Sequence, residues 1–172
     1  MHKKIDNKGF TVIELIVAMA IISIITSAIY LYLMTNIKCF NAGLDINNLQ
    51  CNAEYTTHEL CDIIMPAHNI TVAKCNANNV LTNVINNPVE ITHMEFLYTD
   101  GNTKTLKHNK QNNQLLINNT VISNNVKEFK AYPVTLNSFS KCNLIKLVII
   151  FENNNSTITI NKKITLRNKE VV

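Results

Sequence analysis

Glu14 is the only charged side chain between Phe10 and Met34. The run that contains it reads FTVIELIVAMAIISIITSAIYLYLM, which is close to the ~20 apolar residues that a helix needs to cross the hydrocarbon core of a membrane. A carboxylate at that depth is costly, and such groups are therefore expected to have a function and a partner. The chemistry that this residue indicates is ion pairing with a cation from elsewhere.

Cysteines form the second group of reactive side chains. There are five of them, Cys39, Cys51, Cys61, Cys75 and Cys142, and beyond a membrane segment they would face a compartment where disulfides form. The odd number leaves at least one cysteine outside any disulfide within the chain. A bond from Cys61 to Cys75, or from Cys75 to Cys142, could join a loop to the helix or to the sheet, but the sequence does not fix the connectivity.

A zinc site is the alternative for part of this group. His58 and Cys61 would lie on adjacent turns of one helix face, with Cys51, His68 and Cys75 further along the chain. The sequence has no Cys-x-x-Cys pair, so we interpret this segment as a helix surface with buried or disulfide-bonded cysteines and predict no metal and no cofactor. No serine follows a nucleophile-elbow glycine, so we predict no catalytic residue and no enzymatic activity. The net charge of +4 comes from scattered lysines, and this does not indicate a nucleic-acid surface.

The residues around the apolar run predict its orientation. Lys3, Lys4 and Lys8 precede it, whereas Lys38 alone follows closely, so the positive-inside rule places the N-terminus in the cytoplasm. A cleavable secretory signal would need a shorter apolar stretch that ends in small residues, and residues 34–38 do not fit. A plain signal anchor would explain the length and the lysines but not the carboxylate.

Residues 8–15, KGFTVIEL, resemble the class III signal of type IV prepilins and pseudopilins, which is a short basic leader ending in Gly, then Phe-Thr-Leu-Ile-Glu-Leu and an apolar helix. Val12 is the one departure. The resemblance implies that a membrane-embedded prepilin peptidase cuts between Gly9 and Phe10 and methylates the new Phe10 amine. That amine has a reference pKa of about 8 and stays cationic when methylated, so Phe10 of one subunit could neutralise Glu14 of its neighbour.

Two differences from major pilins indicate a straighter helix and a minor subunit. Leu31 occupies the place where many major pilins have a helix-kinking proline, and Ser23 stands where glycine is frequent. In addition, residues 125–129 and the tail 156–168 resemble the closing hairpin of J-type minor pseudopilins and related minor pilins.

The helix is predicted to continue beyond the membrane. Apolar residues keep a spacing of three, four or seven from Ile37 to Ile63, and Met65-Pro66 gives a natural end because the residue before proline is disfavoured in helices. We predict a cleaved leader over 1–9, a transmembrane and assembly segment over 10–34, an extracellular half of the helix over 35–65 and a β-rich head over 66–172.

From residue 70 onward, short segments rich in β-branched or aromatic residues predict strands. They are 91–98, 103–108, 114–117, 126–132, 144–152 and 156–166. A hairpin turn is expected at Thr99–Asn102 and a longer one at Glu152–Ser156. Ile158, Ile160, Ile164 and Leu166 would share a strand face if a residue or two bulges. The predicted fold is α+β: a long N-terminal helix, its first half transmembrane, packed on a C-terminal antiparallel β-sheet in the lollipop shape of pilins.

Two functions from different classes remain open. The first is a minor type IV pilin or pseudopilin, processed by prepilin peptidase and assembled with other pilins on a membrane platform into an extracellular filament for secretion, DNA uptake, adhesion or motility. It would reside in the lipid bilayer before assembly and would contact nucleic acid only in a DNA-uptake pilus. The second is a signal-anchored single-pass surface protein whose β domain binds a ligand.

Overall fold

The computed structural model describes residues 11–76, 78–82, 87–134, 138–153 and 156–168. Gly9 and Phe10, the predicted cleavage junction, lie outside these residues. Contacts divide the chain into two compact units, Met1–Gly43 and Leu44–Val172. The segment boundaries predicted from the sequence stay predictions.

One long helix, α1, spans Val12–Ile64 and has 53 residues. It ends where Met65-Pro66 was expected to end it. Buried side chains occur only in its last part, at Leu49, Ala53, Thr56, Leu60, Ile63 and Ile64. Their spacing of three and four residues gives one face, which packs against the strands of the same unit.

Ten strands follow in the described part of the chain. They are β1 (Asn69–Cys75), β2 (Asn78–Asn79), β3 (Val89–Glu90), β4 (His93–Leu97), β5 (Thr103–Asn109), β6 (Gln114–Ile117), β7 (Thr120–Ser123), β8 (Val126–Pro133), β9 (Leu144–Asn153) and β10 (Ser156–Thr165). All pairings are antiparallel. The predicted α+β fold is confirmed, with the strands in two sheets: a six-stranded sheet in the order β2-β1-β4-β5-β6-β7 and a four-stranded sheet in the order β10-β9-β8-β3.

The core of the second unit is one cluster of buried side chains from α1 and from both sheets. Its largest fully buried side chains include Phe96, Phe129, Phe139 and Phe151. Three isoleucines of β10 share the face toward this core, as predicted: Ile164 is 1% exposed, and Ile158 and Ile160 pack against the core at its margin. The β9–β10 register is regular over its whole length, so no bulge is needed to align these residues.

Asparagines occupy the left-handed backbone positions of the turns. Asn118 and Asn119, with φ of 48° and 67°, form the two-residue connection between β6 and β7. Positive φ at both central residues is the requirement of a type I′ hairpin turn, and asparagine adopts it more readily than most residues. Asn76, Asn113 and Asn125 also have positive φ. The predicted turn Thr99–Asn102 is present, with Gly101 at φ 82°.

The C-terminal end of α1 is held by side chains and backbone from the strands. Tyr98 donates its hydroxyl to the carbonyl oxygen of Ile63 over 2.8 Å. The N–H of Arg167 donates to the Met65 carbonyl over 2.9 Å, and the Asn168 amide donates to the Pro66 carbonyl over 2.7 Å. These bonds satisfy carbonyl groups at the end of α1 and just after it, where the helix itself supplies no donor.

Candidate processing and assembly segment

Thr11 and Glu14 form a reciprocal cap at the start of α1. Oε2 of Glu14 accepts a hydrogen bond from the Thr11 N–H over 2.9 Å and another from the Thr11 hydroxyl over 2.8 Å. In return the Glu14 N–H donates to Oγ1 of Thr11 over 3.4 Å. This is a capping box, in which two donors that lack helical partners are satisfied by side chains.

This local role of Glu14 was not predicted from the sequence, where only an intermolecular role was expected for it. The signal was present, because Thr-x-x-Glu directly before an apolar run is the sequence signature of a capping box. Both hydrogen bonds to the carboxylate use Oε2. Oε1 has no hydrogen-bond partner among the described residues, which leaves it open to a cation from another molecule.

The first part of α1 exposes apolar side chains around its whole circumference. The large hydrophobic residues from Val12 to Met34 are 40–76% exposed. The most hydrophobic window of this helix has a mean hydropathy of 2.5 and none of it is buried, so the helix is long and apolar enough to cross a membrane. A helix that is apolar all round is stable only inside lipid or among other apolar helices.

Four serine and threonine hydroxyl groups in this segment make hydrogen bonds within the helix. Ser23, Thr26, Ser27 and Thr35 donate to carbonyl oxygens three or four residues earlier, over 2.7–2.9 Å. In hydrocarbon an unsatisfied polar group costs several kcal/mol, and these bonds remove that cost. Glu14 is therefore the one group in the segment whose charge requires a partner from outside.

The three cysteines singled out for disulfides lie in different settings. Cys61 is a half-buried residue of α1 and Cys75 a half-buried residue at the end of β1, and both are free thiols in the structure. Cys142 is completely buried, with Sγ 3.6 Å from the Phe139 carbonyl oxygen. Neither suggested bond is formed here, and disulfide formation in the oxidised protein stays a prediction.

Burial raises the pKa of the Cys61 thiol and nearby Asp62 adds to that effect, while the charge of Lys162 lowers it. His58 pairs with Asp62 instead of joining Cys61 in a ligand set, with Nδ1 and Oδ2 3.2 Å apart. Across the described part of the chain, no three His, Cys, Asp or Glu side chains are placed to hold a metal ion.

Residues 5–30 match the family model described as the prokaryotic N-terminal methylation motif. The match covers Gly9, Phe10, the capping box and most of the apolar helix. No curated protein and no solved structure matches the chain. The motif and the exposed apolar helix fit a membrane-anchored precursor, and they point to a structural subunit more than to an enzyme.

Proposed function

We propose, starting from the type IV pilin-like family that this motif supports, that the chain is a minor pilin or pseudopilin that assembles into an extracellular filament. Prepilin peptidase cuts between Gly9 and Phe10 on the cytoplasmic side, and the amine of Phe10 is methylated. The leader with its three lysines is removed, while the apolar helix stays in the membrane until the subunit joins the filament.

The observation that carries this proposal is the state of Glu14 in a helix that is otherwise apolar and exposed. Its carboxylate is held at the first turn by two hydrogen bonds from Thr11 to Oε2, and Oε1 has no hydrogen-bond partner among the described residues. In the filament the methylated amine of Phe10 from a neighbouring subunit pairs with this oxygen. Removing one partner of a buried ion pair is strongly destabilising, so a subunit in the wrong register would leave two uncompensated charges.

The partners follow from the same segment. They are prepilin peptidase, other pilins, the membrane platform of the assembly machine and, before assembly, the lipid bilayer. We place the N-terminus in the cytoplasm and the strand-rich unit outside. The likeness of residues 125–129 and 156–168 to J-type pseudopilins favours a minor position in the filament.

Mass spectrometry of the membrane-extracted protein tests the processing step. A mature N-terminus at methylated Phe10 is the expected result. An intact leader would instead favour the signal-anchored surface protein with a ligand-binding β domain, and would refute the proposed precursor.

Variants at two positions separate the local cap from the intermolecular pair. Glu14→Gln keeps a side chain that can complete the capping box but has no charge, whereas Thr11→Ala removes the hydroxyl of the cap and keeps the carboxylate. Glu14→Ala removes both the charge and the cap. We expect all three variants to be cleaved normally. We expect Glu14→Gln and Glu14→Ala to be depleted from sheared filaments, while Thr11→Ala is incorporated. Normal incorporation of Glu14→Gln would show that the charge has no role in assembly.

A further inference from the structure

β10 is a long strand with one open edge. It has ten residues and pairs with β9 on one side, and no strand of the described chain pairs with its other side. A mean strand has about five or six residues, and proteins usually keep edge strands short or cover them because unpaired backbone groups attract other strands. An open edge of this length is therefore a potential binding surface.

The backbone groups on the open edge can be assigned from the register. Leu166 donates its N–H to the Asn143 carbonyl over 2.8 Å, which continues the pairing of Thr165 with Leu144. In an antiparallel pair only alternate residues exchange hydrogen bonds with a given neighbour. The even residues of β10 therefore bond to β9. The odd residues direct their N–H and C=O groups to the open edge; they are Thr157, Thr159, Asn161, Lys163 and Thr165.

The other side of β9 gives the same assignment independently. Val134, which directly follows β8, donates its N–H to the Leu144 carbonyl over 2.8 Å. The N–H of Glu152 donates to the carbonyl of Asn125, which directly precedes β8, over 2.8 Å. The even residues of β9 thus form backbone hydrogen bonds with the β8 side, and its odd residues form them with β10. The odd residues of β10 are left with unpaired ladder groups.

A groove borders this edge on the side that faces the helix. It has a volume of about 350 Å³ and is lined by Glu54, Thr57, His58 and Cys61 of α1 and by Ile160 and Lys162 of β10. A strand added at the edge would continue the sheet, so its alternate side chains would point into this groove, as the even residues of β10 do. Main-chain bonds to the edge would provide affinity and the groove would provide specificity.

Charge distinguishes among possible occupants of the groove. Lys162 lines it and Lys163 lies beside it on the edge. Lysines at such positions oppose pairing with another strand unless their charge is compensated. β10 has no acidic residue, so a second antiparallel copy of β10 would leave both lysine pairs uncompensated. Glu54 and the His58–Asp62 pair lie on the helix side. The groove therefore has a cation on its β10 wall and a carboxylate on its α1 wall, and a carboxylate of the occupant is favoured beside Lys162 and opposed beside Glu54.

We propose that β10 and this groove bind an extended segment of another protein, added antiparallel to β10, with a carboxylate opposite Lys162 and an apolar side chain over Ile160. This surface does not depend on cleavage after Gly9 or on filament assembly, so it can be tested apart from them.

The probe is a capped, fluorescent peptide of alternating threonine and valine with one aspartate at an inward position, and the matched peptide has lysine in its place. Binding to the detergent-solubilised full chain is measured by fluorescence anisotropy. We expect the aspartate peptide to bind roughly tenfold or more tightly than the lysine peptide, since an opposed charge and a like charge act in opposite directions. Equal affinities, or no binding of the aspartate peptide to folded protein, would overturn the proposal.

Two variants and one control variant test the two parts of the surface. Thr159→Pro removes an N–H that points to the open edge and leaves the bonds to β9, a position where strands tolerate proline, so it should abolish binding. Thr159→Ala keeps that N–H and should bind as the parent does. Lys162→Glu should reverse the preference between the peptides. Binding that persists in Thr159→Pro, or a preference that Lys162→Glu leaves unchanged, would contradict the assignment.

The native thiols provide a second readout that needs no substitution. Cys61 lines the groove, whereas Cys51 is exposed elsewhere on α1. The bound aspartate peptide should slow maleimide alkylation of Cys61 and leave that of Cys51 unchanged, even if Thr159→Pro does not fold. Unprotected Cys61 would refute binding in the groove. Concentration-dependent dimers that Thr159→Pro abolishes would also refute the proposal, because the occupant would then be a second copy.

Discussion

The hydrogen bond from Tyr98 to the end of α1 gives a direct test of how the strands hold the helix. The hydroxyl donates to the Ile63 carbonyl over 2.8 Å, and this carbonyl belongs to the last turn of the helix, where no helical N–H is available. Tyr98→Phe removes this one donor and keeps the ring. A net hydrogen bond contributes about 0.5–1.5 kcal/mol, and because Tyr98 is half-buried, water can partly replace the donor. We expect a loss of about 1 kcal/mol in the free energy of unfolding.

Tyr132→Phe is the matched control. Both residues are half-buried, Tyr98 directly after β4 and Tyr132 within β8. Each tyrosine ring has a lysine Nζ 5.5 Å from its centroid, Lys104 over Tyr98 and Lys146 over Tyr132. The Tyr132 hydroxyl has no hydrogen-bond partner among the described residues. The same substitution there should change stability by less than about 0.5 kcal/mol.

The assay is urea and thermal unfolding of the detergent-solubilised full chain, followed by circular dichroism. For a unit of intermediate size, 1 kcal/mol corresponds to a shift in Tm of about 4 °C. Equal shifts in Tm for Tyr98→Phe and Tyr132→Phe would show that the hydrogen bond from Tyr98 to Ile63 does not stabilise the unit.

Alkaline pH provides a second check on the same residue. Burial, with a smaller contribution from Asp100, raises the pKa of Tyr98 to about 12. A folded pKa above the unfolded value of about 10 means that the stabilisation is fully present below pH 10 and is lost as the pH rises toward 12. The difference in the free energy of unfolding between the parent and Tyr98→Phe should therefore shrink across this range. A difference that stays constant would contradict a stabilising role of the neutral Tyr98 hydroxyl.

Two further predictions concern the second unit. Leu60→Ala, at a fully buried residue of α1, should lower the free energy of unfolding by about 2–5 kcal/mol. Leu44→Ala, at a residue 44% exposed, should lower it by less than about 0.5 kcal/mol. Similar urea midpoints for the two variants would contradict the packing described. Burial, then Lys107 and Lys74, lowers the pKa of His93, so its contribution to stability is present above about pH 6.5 and is lost as the pH falls through the lowered pKa. His93→Gln should therefore flatten the decline of the unfolding free energy between pH 7 and 5, and an unchanged slope would exclude this histidine as its source.

Much of the strand pattern could be predicted from the sequence. The six predicted strands are all present with small shifts at their ends, because each has β-branched or aromatic residues between clear turn residues. β1 and β7 also contain β-branched residues but were not predicted. β1 contains a register shift between Ile70 and Val72 that breaks its alternation, and β2 and β3 have two residues each. β7 follows a turn of only two asparagines. Neighbouring strands, not local preference, determine such short elements.

The candidate site divides in the same way. Several features of the site are local: the apolar run, the lysines before it, the Gly9-Phe10 junction and the Thr11-x-x-Glu14 cap. The sequence by itself therefore determined a helix apolar enough to cross a membrane, the prediction that it is processed, and the position of Glu14 within it. Only the tertiary structure decided three other features: the division of the strands into two sheets, the hydrogen bond from Tyr98 to Ile63, and the open edge of β10 beside α1. Each of these depends on residues 35 or more positions apart, and local periodicity has no information about which distant segments meet.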